Sequence, residues 1–318
     1  MDKKVIIIIA AVATLAIIGC VPTLFVAPRE TINVSGAWAL YPIMVKWAEE
    51  YQRAHPKVRI DISAGGAGKG IADVLGGLVD IGMVSRDIFP EEIERGAFWV
   101  SVCKDAVVPT VNENNPVLEE LLTTGIKRQT FIEMWISGSI VTWGETVGRS
   151  EVTDEIHLYT RSDSCGAAET WAKYLGYKQE DLLGVAVYGD PGLAEAVSED
   201  PLGIGYNNIN YAYSNETGRP VEGIVVIPLD LNENGQVDES EDFYDTRAEI
   251  VEAIATGAYP SPPARELYLV AKNGFTGASK EFVKWILSDG QQYVSEAGYV
   301  QLSKERLEEE YAKLESHN

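Results

Sequence analysis

Residues 58–87 read VRIDISAGGAGKGIADVLGGLVDIGMVSRD, and this stretch decides the fold. Apolar and polar residues alternate over Val58–Ile62, which is the period of a β-strand. A glycine-rich turn at 65–70 follows, and apolar residues then recur at helical spacing over Ile71–Leu78. The alternating apolar residues of Val79–Met83 predict a second strand. The stretch therefore predicts one unit of strand, glycine turn, helix and strand.

The glycine turn is a candidate anion site. It leaves backbone N–H groups unpaired at the positive end of a helix, and glycines let a ligand approach the backbone closely. The second strand ends at Ser85 and Arg86, and the Arg86 guanidinium would add a forked cation nearby. An ordinary tight turn of an α/β domain has the same features, so this stretch alone leaves both interpretations open.

Two further segments repeat this design. Residues 33–52, NVSGAWALYPIMVKWAEEYQ, and residues 156–175, IHLYTRSDSCGAAETWAKYL, each read as strand, small-residue turn and helix. In their order and their turns, the three segments resemble the phosphate-binding proteins of ABC transporters, the solute-binding lipoproteins that feed an importer. That family has a Gly-Ser-Thr turn, a Gly-Ser-Gly turn, Asp-Ile-Gly before a Ser-Arg or Asp pair, and Arg-Ser-Asp-x-Ser-Gly-Thr. The resemblance covers residues 31–300.

The resemblance implies an α/β protein with a two-lobed, periplasmic-binding-protein-like (type II) fold, a hinge and a ligand cleft between the lobes. The length of 318 residues also favours two lobes. Residues 1–30 form a signal segment and linker, 31–108 with 265–318 form lobe 1, and 109–264 form lobe 2. The implied function is capture of an oxyanion, phosphate first, and its delivery by hinge closure to the permease of an ABC importer.

The resemblance also places an anion site between the lobes. Its residues are Ala37, Trp38, Ala67, Gly68, Ser85 and Arg86 from lobe 1 and Arg161, Cys165, Gly166 and Ala167 from lobe 2. Arg161 stands four residues before Cys165, which is the family's spacing between its arginine and its serine. Asp163, in the family's pattern, holds the loop or the arginine.

Each turn lacks the hydroxyls of the family pattern. Gly-Ser-Thr is Gly36-Ala37-Trp38, Gly-Ser-Gly is Gly66-Ala67-Gly68, and Ser-Gly-Thr is Cys165-Gly166-Ala167. A neutral hydrogen bond contributes about 0.5–1.5 kcal/mol, and one to a charged group about 1.5–3 kcal/mol. The loss weakens oxyanion binding unless Lys69, Arg86 or Trp38 compensates. A different anion, such as molybdate or tungstate, is therefore an open alternative.

The charge balance bears on the partners. Lys plus Arg number 26 against 48 Asp plus Glu, a net charge of −22, which excludes nucleic acid as an expected partner. An acidic surface does not prevent anion binding, because the local field in a cleft decides it. The expected partners are an inorganic oxyanion and a permease, and the expected state is a monomer.

The N-terminus reads as a targeting segment. Lys3 and Lys4 precede the apolar run Val5–Ile18, which has the length of a signal peptide. Residues 17–20, IIGC, resemble a lipobox, in which Cys20 becomes the lipidated first residue. An uncleaved membrane anchor is the alternative. Both interpretations place the folded part outside the membrane, at the outer face of the cell membrane.

The remaining cysteines and the histidines give little support to an enzyme. Cys103 and Cys165 are expected to be free thiols, although sequence alone cannot exclude their pairing. His157 near Cys165 would suggest a thiol nucleophile. However, Cys165 stands where the resemblance implies a ligand-binding serine, so no catalytic residue is predicted and the protein is not expected to be an enzyme.

A second motif stands apart from the anion site. Residues 230–241, DLNENGQVDESE, match every fixed position of the calcium loop D-x-[DN]-x-[DN]-G-x5-E. The predicted calcium ligands are Asp230, Asn232, Asn234, Gln236 through its carbonyl, Asp238 and Glu241. A polar acidic turn is the plain alternative. This loop and the missing hydroxyls leave open a second function, a calcium-stabilised surface sensor or adhesion protein on the same fold.

The rest of the chain is read more coarsely. Helices are predicted at 116–137, 247–256 and 301–316, and short strands and turns at 182–193. Because strands alternate with helices along the chain, mainly parallel sheets are expected.

Overall fold

The structure is a computed structural model and describes residues 30–317. The predicted signal segment and the lipidation site Cys20 lie outside these residues. The strands are β1 Glu30–Gly36, β2 Val58–Ala64, β3 Ile81–Val84, β4 Ala97–Asn112, β5 Ile126–Lys127, β6 His157–Arg161, β7 Val185–Val187, β8 Gly203–Asn208, β9 Ile224–Val226, β10 Leu229–Asp230 and β11 Ala264–Lys272. The α-helices are α1 Tyr41–Ala54, α2 Ala67–Leu75, α3 Pro90–Glu94, α4 Leu118–Thr124, α5 Arg128–Ile132, α6 Trp143–Val147, α7 Gly166–Leu175, α8 Gly189–Glu199, α9 Ile209–Ala212, α10 Arg247–Thr256, α11 Gly277–Ile286 and α12 Lys304–Ser316.

One sheet runs through the molecule in the order β2-β1-β3-β11-β4-β8-β6-β7, with β9 also paired to β4. Near each end of the sheet the strands are parallel, as in β1–β2, β1–β3, β6–β7 and β6–β8. In the middle, β11 is antiparallel to β3 and β4, and β4 is antiparallel to β8 and β9. The prediction of mainly parallel sheets is therefore right at the two ends and wrong in the middle, where the chain crosses over.

Strand β4 belongs to both halves of this sheet. Its residues up to Ala106 pair with β11, whereas Val107–Val111 pair with β8. The long strand carries the chain out of the first half, and β11 carries it back. Within residues 30–317, the main chain thus passes between the two halves along two neighbouring strands, β4 and β11. Two adjacent crossings of this kind can act as a hinge.

Two hydrophobic cores lie on either side of these crossings. One draws on buried residues of Ile32–Cys103 and Leu267–Leu314, and the other on those of Ala106–Ala264 together with Val300. The molecule therefore has the predicted two-lobed α/β fold. The domain boundaries at 108/109 and 264/265 stay a prediction, although the two cores divide close to them.

Some local predictions were wrong. Leu78, predicted as the last apolar position of the helix after the glycine turn, lies beyond the end of α2 and is 74% exposed. The stretch 182–193 was predicted as strands and turns, but the 11-residue helix α8 begins at Gly189. Its buried residues Leu193 and Val197 are four apart, which is a helical spacing. The predicted stretch ended at residue 193 and therefore did not include Val197.

Candidate functional site

The three predicted turns meet between the lobes. The N–H of Gly68, in the first turn of α2, donates to the carbonyl of Ser164 just before α7 (3.0 Å). A side chain at Gly66 would lie 2.6 Å from that same carbonyl, and one at Gly166 would lie 2.2 Å from the carbonyl of Ser85. Glycine is therefore required at both positions by the direct approach of the two lobes, and the N-termini of α2 and α7 face each other.

The first turn of lobe 1 lies against the second. The N–H of Ala37 donates to the carbonyl of Met83 (2.9 Å), and the N–H of Gly66 donates to the carbonyl of Gly36 (3.1 Å). Ala37 and Ala67 are buried, at 1% and 0% exposure. These alanines are thus packed into the contact between the turns, which brings Ala37, Trp38, Ala67, Gly68, Ser85, Cys165, Gly166 and Ala167 into one region.

Arg161 ends strand β6 beneath this region and is held by two carboxylates. Its Nε and Nη2 donate to Asp163 (2.8 and 2.7 Å), and its Nη1 donates to Asp190 (2.6 Å). The side chains of Arg161 and Asp190 are 0% and 1% exposed. Burial lowers the pKa of Arg161, but Asp190 and the other neighbours outweigh it and hold that pKa above its ordinary value. The arginine is therefore permanently charged, and the three groups together carry one net negative charge.

Helix N-termini offset part of that charge. Asp163 accepts the N–H of Gly189, the first residue of α8 (3.1 Å), and Asp190 lies in the first turn of the same helix. The positive end of a helix stabilises a nearby carboxylate. Asp190 also accepts from the Asn208 side chain (2.7 Å), so both carboxylates have several donors.

The core of lobe 2 fixes the end of β6. The rings of Trp171 and Tyr206 are stacked 5.9 Å apart, and Trp135 meets Trp171 edge to face at 5.6 Å. The Tyr206 hydroxyl is hydrogen-bonded to Thr160 (2.6 Å) and accepts the N–H of Arg161 (3.3 Å). The aromatic cluster therefore sets the backbone from which the Arg161 side chain extends.

Arg86, the second predicted cation, is bound within its own lobe. Its Nη1 and Nη2 donate to Glu92 (2.9 and 2.7 Å), and its guanidinium lies 4.0 Å from the ring centre of Phe89. It borders two cavities between the lobes, of about 250 and 450 Å³. The larger cavity is also lined by Ser164 and Cys165. Arg86 is thus next to the turns, with its charge already balanced by one carboxylate.

A third arginine, which sequence reasoning did not select, lies beneath α7. Arg265 on β11 donates to Asp105 on β4 (2.9 Å), to Thr170 on α7 (2.8 Å) and to the carbonyl of Gly166. Burial raises the pKa of Asp105 to about 6, although Arg265 opposes the shift. The ion pair therefore joins the two crossing strands, and hydrogen bonds from Arg265 tie them to α7, whose N-terminus faces α2.

Cys165, which stands where the resemblance implies a ligand-binding serine, caps α7. Its Sγ accepts the N–H of Ala168 (3.4 Å). Burial raises the pKa of this thiol to about 12, although Arg161 opposes the shift. A protonated thiol is a poor nucleophile. His157 is hydrogen-bonded to Asp200 instead (2.7 Å). Cys103 and Cys165 are both buried free thiols.

The loop 230–241 does not support the calcium prediction. Within residues 30–317, no group of three or more His, Cys, Asp or Glu side chains is arranged to hold a metal ion. Glu241 accepts the N–H of Asn232 (3.0 Å), Asp230 accepts that of Gly235 (2.8 Å), and Asp238 accepts the side-chain amide of Asn234 (2.9 Å). The carboxylates of Asp230, Asp238 and Glu241, all predicted to bind calcium, are thus engaged by the loop's own donors.

Besides Arg265, two more residues near the site were missed because they lie outside the resembling motifs. Asp190 comes from α8, the helix that sequence reasoning overlooked, and Pro191 in its first turn was the available signal. Tyr211 follows β8, and its hydroxyl donates to the carbonyl of Trp38 across the lobes (3.2 Å). Burial, with Asp190 beside it, raises the pKa of Tyr211.

The fold and the facing turns define the class of the molecule, a two-lobed periplasmic-binding-protein-like protein. The chain belongs to the PBP superfamily, since residues 26–290 match the PBP superfamily domain. This agrees with the fold and the family predicted from the three turns. In the described part of the chain, no helix has both the length and the apolar character needed to cross a membrane.

Similar proteins share most of the chain's length. The phosphate-binding protein PstS of Bacillus subtilis is 25% identical over 272 residues, which is 85% of this chain and 80% of that protein. PstS of Pseudomonas aeruginosa PAO1 is 26% identical over 321 residues, covering 92% and 90%. A Clostridium perfringens structure with bound phosphate has a TM-score of 0.69 at 22% identity, over 86% of this chain and all of that one. An ABC-type phosphate transport receptor from Vibrio cholerae has a TM-score of 0.61 at 20% identity, with the same coverage.

Proposed function

We propose that this protein is an extracytoplasmic solute-binding protein that captures an oxyanion and delivers it to the permease of an ABC importer. Phosphate is the first candidate for that oxyanion. The observation that carries the proposal is the meeting of the α2 and α7 N-termini beside the buried Arg161. Unpaired N–H groups at helix N-termini and a guanidinium are the donors that oxyanions prefer. The relatives named for phosphate binding support phosphate as the first candidate.

The proposed site keeps donors available to a ligand. Arg161 has five N–H donors, of which Asp163 engages two and Asp190 one. The first N–H groups of α7, at Gly166 and Ala167, have no partner within the helix. The proposed ligand contacts are those predicted from the sequence. In the described arrangement, the N–H groups of Ala37 and Gly68 are engaged by the carbonyls of Met83 and Ser164. Arg86 acts mainly through its field because Glu92 engages it.

Hinge closure is the proposed mechanism. Ligand would enter while the lobes are apart, and closing about β4 and β11 would bring α2 against α7, as in the described arrangement. The Asp105–Arg265 pair lies on both crossing strands and contacts α7, so it would transmit the hinge angle to the site. The closed pair of lobes is the surface that a permease would recognise.

An anion panel tests the proposal. The full-length protein, purified in detergent and freed of bound anion by unfolding and refolding, is heated with phosphate, sulfate, molybdate, tungstate or no added anion. A ligand at about 100 times its dissociation constant should stabilise the fold by about 2.7 kcal/mol. A shift with phosphate supports the proposal, a shift with molybdate or tungstate alone changes the ligand, and no shift with any oxyanion contradicts it.

Anchoring at the membrane is a separate proposal. Cys20 follows an apolar run after two lysines, which supports lipidation of a mature chain at the outer face of the membrane. Labelling with a radioactive fatty acid should mark the wild type and not Cys20→Ser. A chain that stays in the membrane fraction unlabelled would favour the uncleaved anchor instead.

A further inference from the structure

Trp38 reaches from the first turn of lobe 1 onto lobe 2. Three atoms of its ring lie 3.2–3.3 Å from the place where a side chain at Gly189 would begin. Its ring meets Tyr188 edge to face, with centroids 6.2 Å apart. Tyr211 donates to its backbone carbonyl (3.2 Å). The Trp38 ring thus packs directly on Gly189, whose φ of +75° and lack of a side chain allow this close contact.

The indole nitrogen of Trp38 is buried and finds no hydrogen-bond partner among residues 30–317. An indole N–H can only donate, and a buried donor without a partner is costly. The same ring atom lies 3.3 Å from the side-chain position of Gly189, whose own N–H donates to Asp163 (3.1 Å). The unused donor therefore lies against the first residue of α8, whose own N–H is bound by the carboxylate that holds Arg161.

Trp135 and Trp171 also have buried, unpartnered indole nitrogens, but their surroundings differ. Both lie inside the aromatic cluster of lobe 2, where rings meet edge to face and an N–H can point at a π face. Trp38 instead lies where the two lobes meet. Packing alone accounts for the first two residues and leaves the Trp38 donor unexplained.

The alanine-rich turns need a donor to replace the hydroxyls they lack, and three side chains were candidates. Lys69 is paired with Asp73 in its own helix, and Arg86 is paired with Glu92. Of the three side chains, only that of Trp38 has no hydrogen-bond partner at all among residues 30–317.

We propose that Trp38 is a ligand-binding and specificity-determining residue, whose indole N–H donates to the oxyanion in the closed state. The inference rests on the proposed function. Its ring, seated on Gly189, covers the ligand from the solvent, which strengthens every hydrogen bond beneath it. The site then has one large aromatic donor in place of the five small hydroxyl donors of the family pattern.

The test separates the donor from the ring. Trp38→Phe keeps an aromatic ring and removes the N–H, and Trp285→Phe makes the same change on the packed surface of lobe 1, against Tyr51 and Phe282. Phosphate binding is measured by titration calorimetry on refolded, anion-free protein. We expect Trp38→Phe to weaken binding by about tenfold to a hundredfold, as loss of a hydrogen bond to a charged group does, and Trp285→Phe to leave it unchanged. Without phosphate, Trp38→Phe should melt no lower than the wild type, because it removes an unsatisfied donor.

A second measurement uses only the wild-type protein and so does not depend on whether a variant folds. In the ¹⁵N-labelled wild type, phosphate should shift one of the seven indole N–H signals downfield and slow its exchange with water. Equal phosphate affinity for wild type and Trp38→Phe, or no shift of any indole signal on binding, overturns the Trp38 inference and leaves the proposed function standing. A wild type that binds no oxyanion overturns both.

Discussion

The two arginines predicted to bind the anion are neutralised in different ways. Arg161 in lobe 2 lies between two carboxylates, its side chain 0% exposed, whereas Arg86 in lobe 1 has one carboxylate and borders open cavities. Arg161 and its two carboxylates carry a net negative charge, part of which the N-terminus of α8 offsets. The pair of Arg86 and Glu92 is neutral by itself. The same residue type, at two equally plausible positions, thus serves a buried charge cluster in one lobe and a local pair in the other.

The largest expected effect follows from removing Arg161. Arg161→Ala leaves Asp163 and Asp190 buried without their cation, and breaking a buried pair in this way costs about 3–5 kcal/mol. From the sequence alone, this change would weaken anion binding and leave the fold intact. With the structure known, we expect a lower free energy of unfolding in urea as well. Adding Asp190→Asn should restore part of it; equal stability of Arg161→Ala and wild type would break the comparison.

A smaller loss is expected for Arg86→Ala. Glu92 loses its cation but keeps the N–H of Phe89 as a donor (2.9 Å), so the cost should be about 1–3 kcal/mol. Denaturant unfolding of Arg86→Ala and Arg161→Ala, measured side by side, checks the order. Glu92→Gln is the matched control, since it keeps the shape and removes the charge. A loss as large as that of Arg161→Ala would show that both arginines are equally structural.

The Asp105–Arg265 pair predicts a pH dependence. The folded-state pKa of about 6 lies above the ordinary 3.8, so the folded state binds the proton more tightly. The stabilising contribution of Asp105 is then fully present below pH 3.8 and is lost as the pH rises through 6. A shift of this size corresponds to about 3 kcal/mol.

Urea unfolding of wild type and Asp105→Asn between pH 4 and pH 7 measures that contribution. The difference between the two proteins should change with pH across this window, because only the wild type titrates at residue 105. Parallel pH profiles would show that Asp105 has an ordinary pKa and that Arg265 fully balances its burial.

The smallest change in stability is expected when calcium or a chelator is added, because of loop 230–241. Its buried carboxylates are bound by N–H groups, whereas those beside Arg86 and Arg161 are paired with an arginine. Asp230 and Glu241 are 2% and 3% exposed and rely on backbone N–H groups. Since those donors already engage the loop's oxygens, calcium and a chelator should leave the melting temperature unchanged. A rise with calcium that Glu241→Gln abolishes would instead restore the calcium prediction made from the motif.

The sequence by itself determined the order of the elements around each turn, and the resemblance of those turns to a known family implied the two-lobed fold, which the structure has. Periodicity and glycine placement were enough to predict the local elements of the three segments, because both act locally along the chain. Helix α10 at Arg247–Thr256 was predicted to the residue for the same reason.

Only the tertiary structure decided the electrostatics of the site. Asp190 lies 29 residues from Arg161, and Gly189 lies more than a hundred residues from the Trp38 ring that it seats. No local pattern links such residues, because folding brings them together through the packing of α8 against β6 and β8. Whether an arginine is free, paired or enclosed by two carboxylates depends on those contacts, and so the sequence could name Arg86 and Arg161 but could not tell them apart.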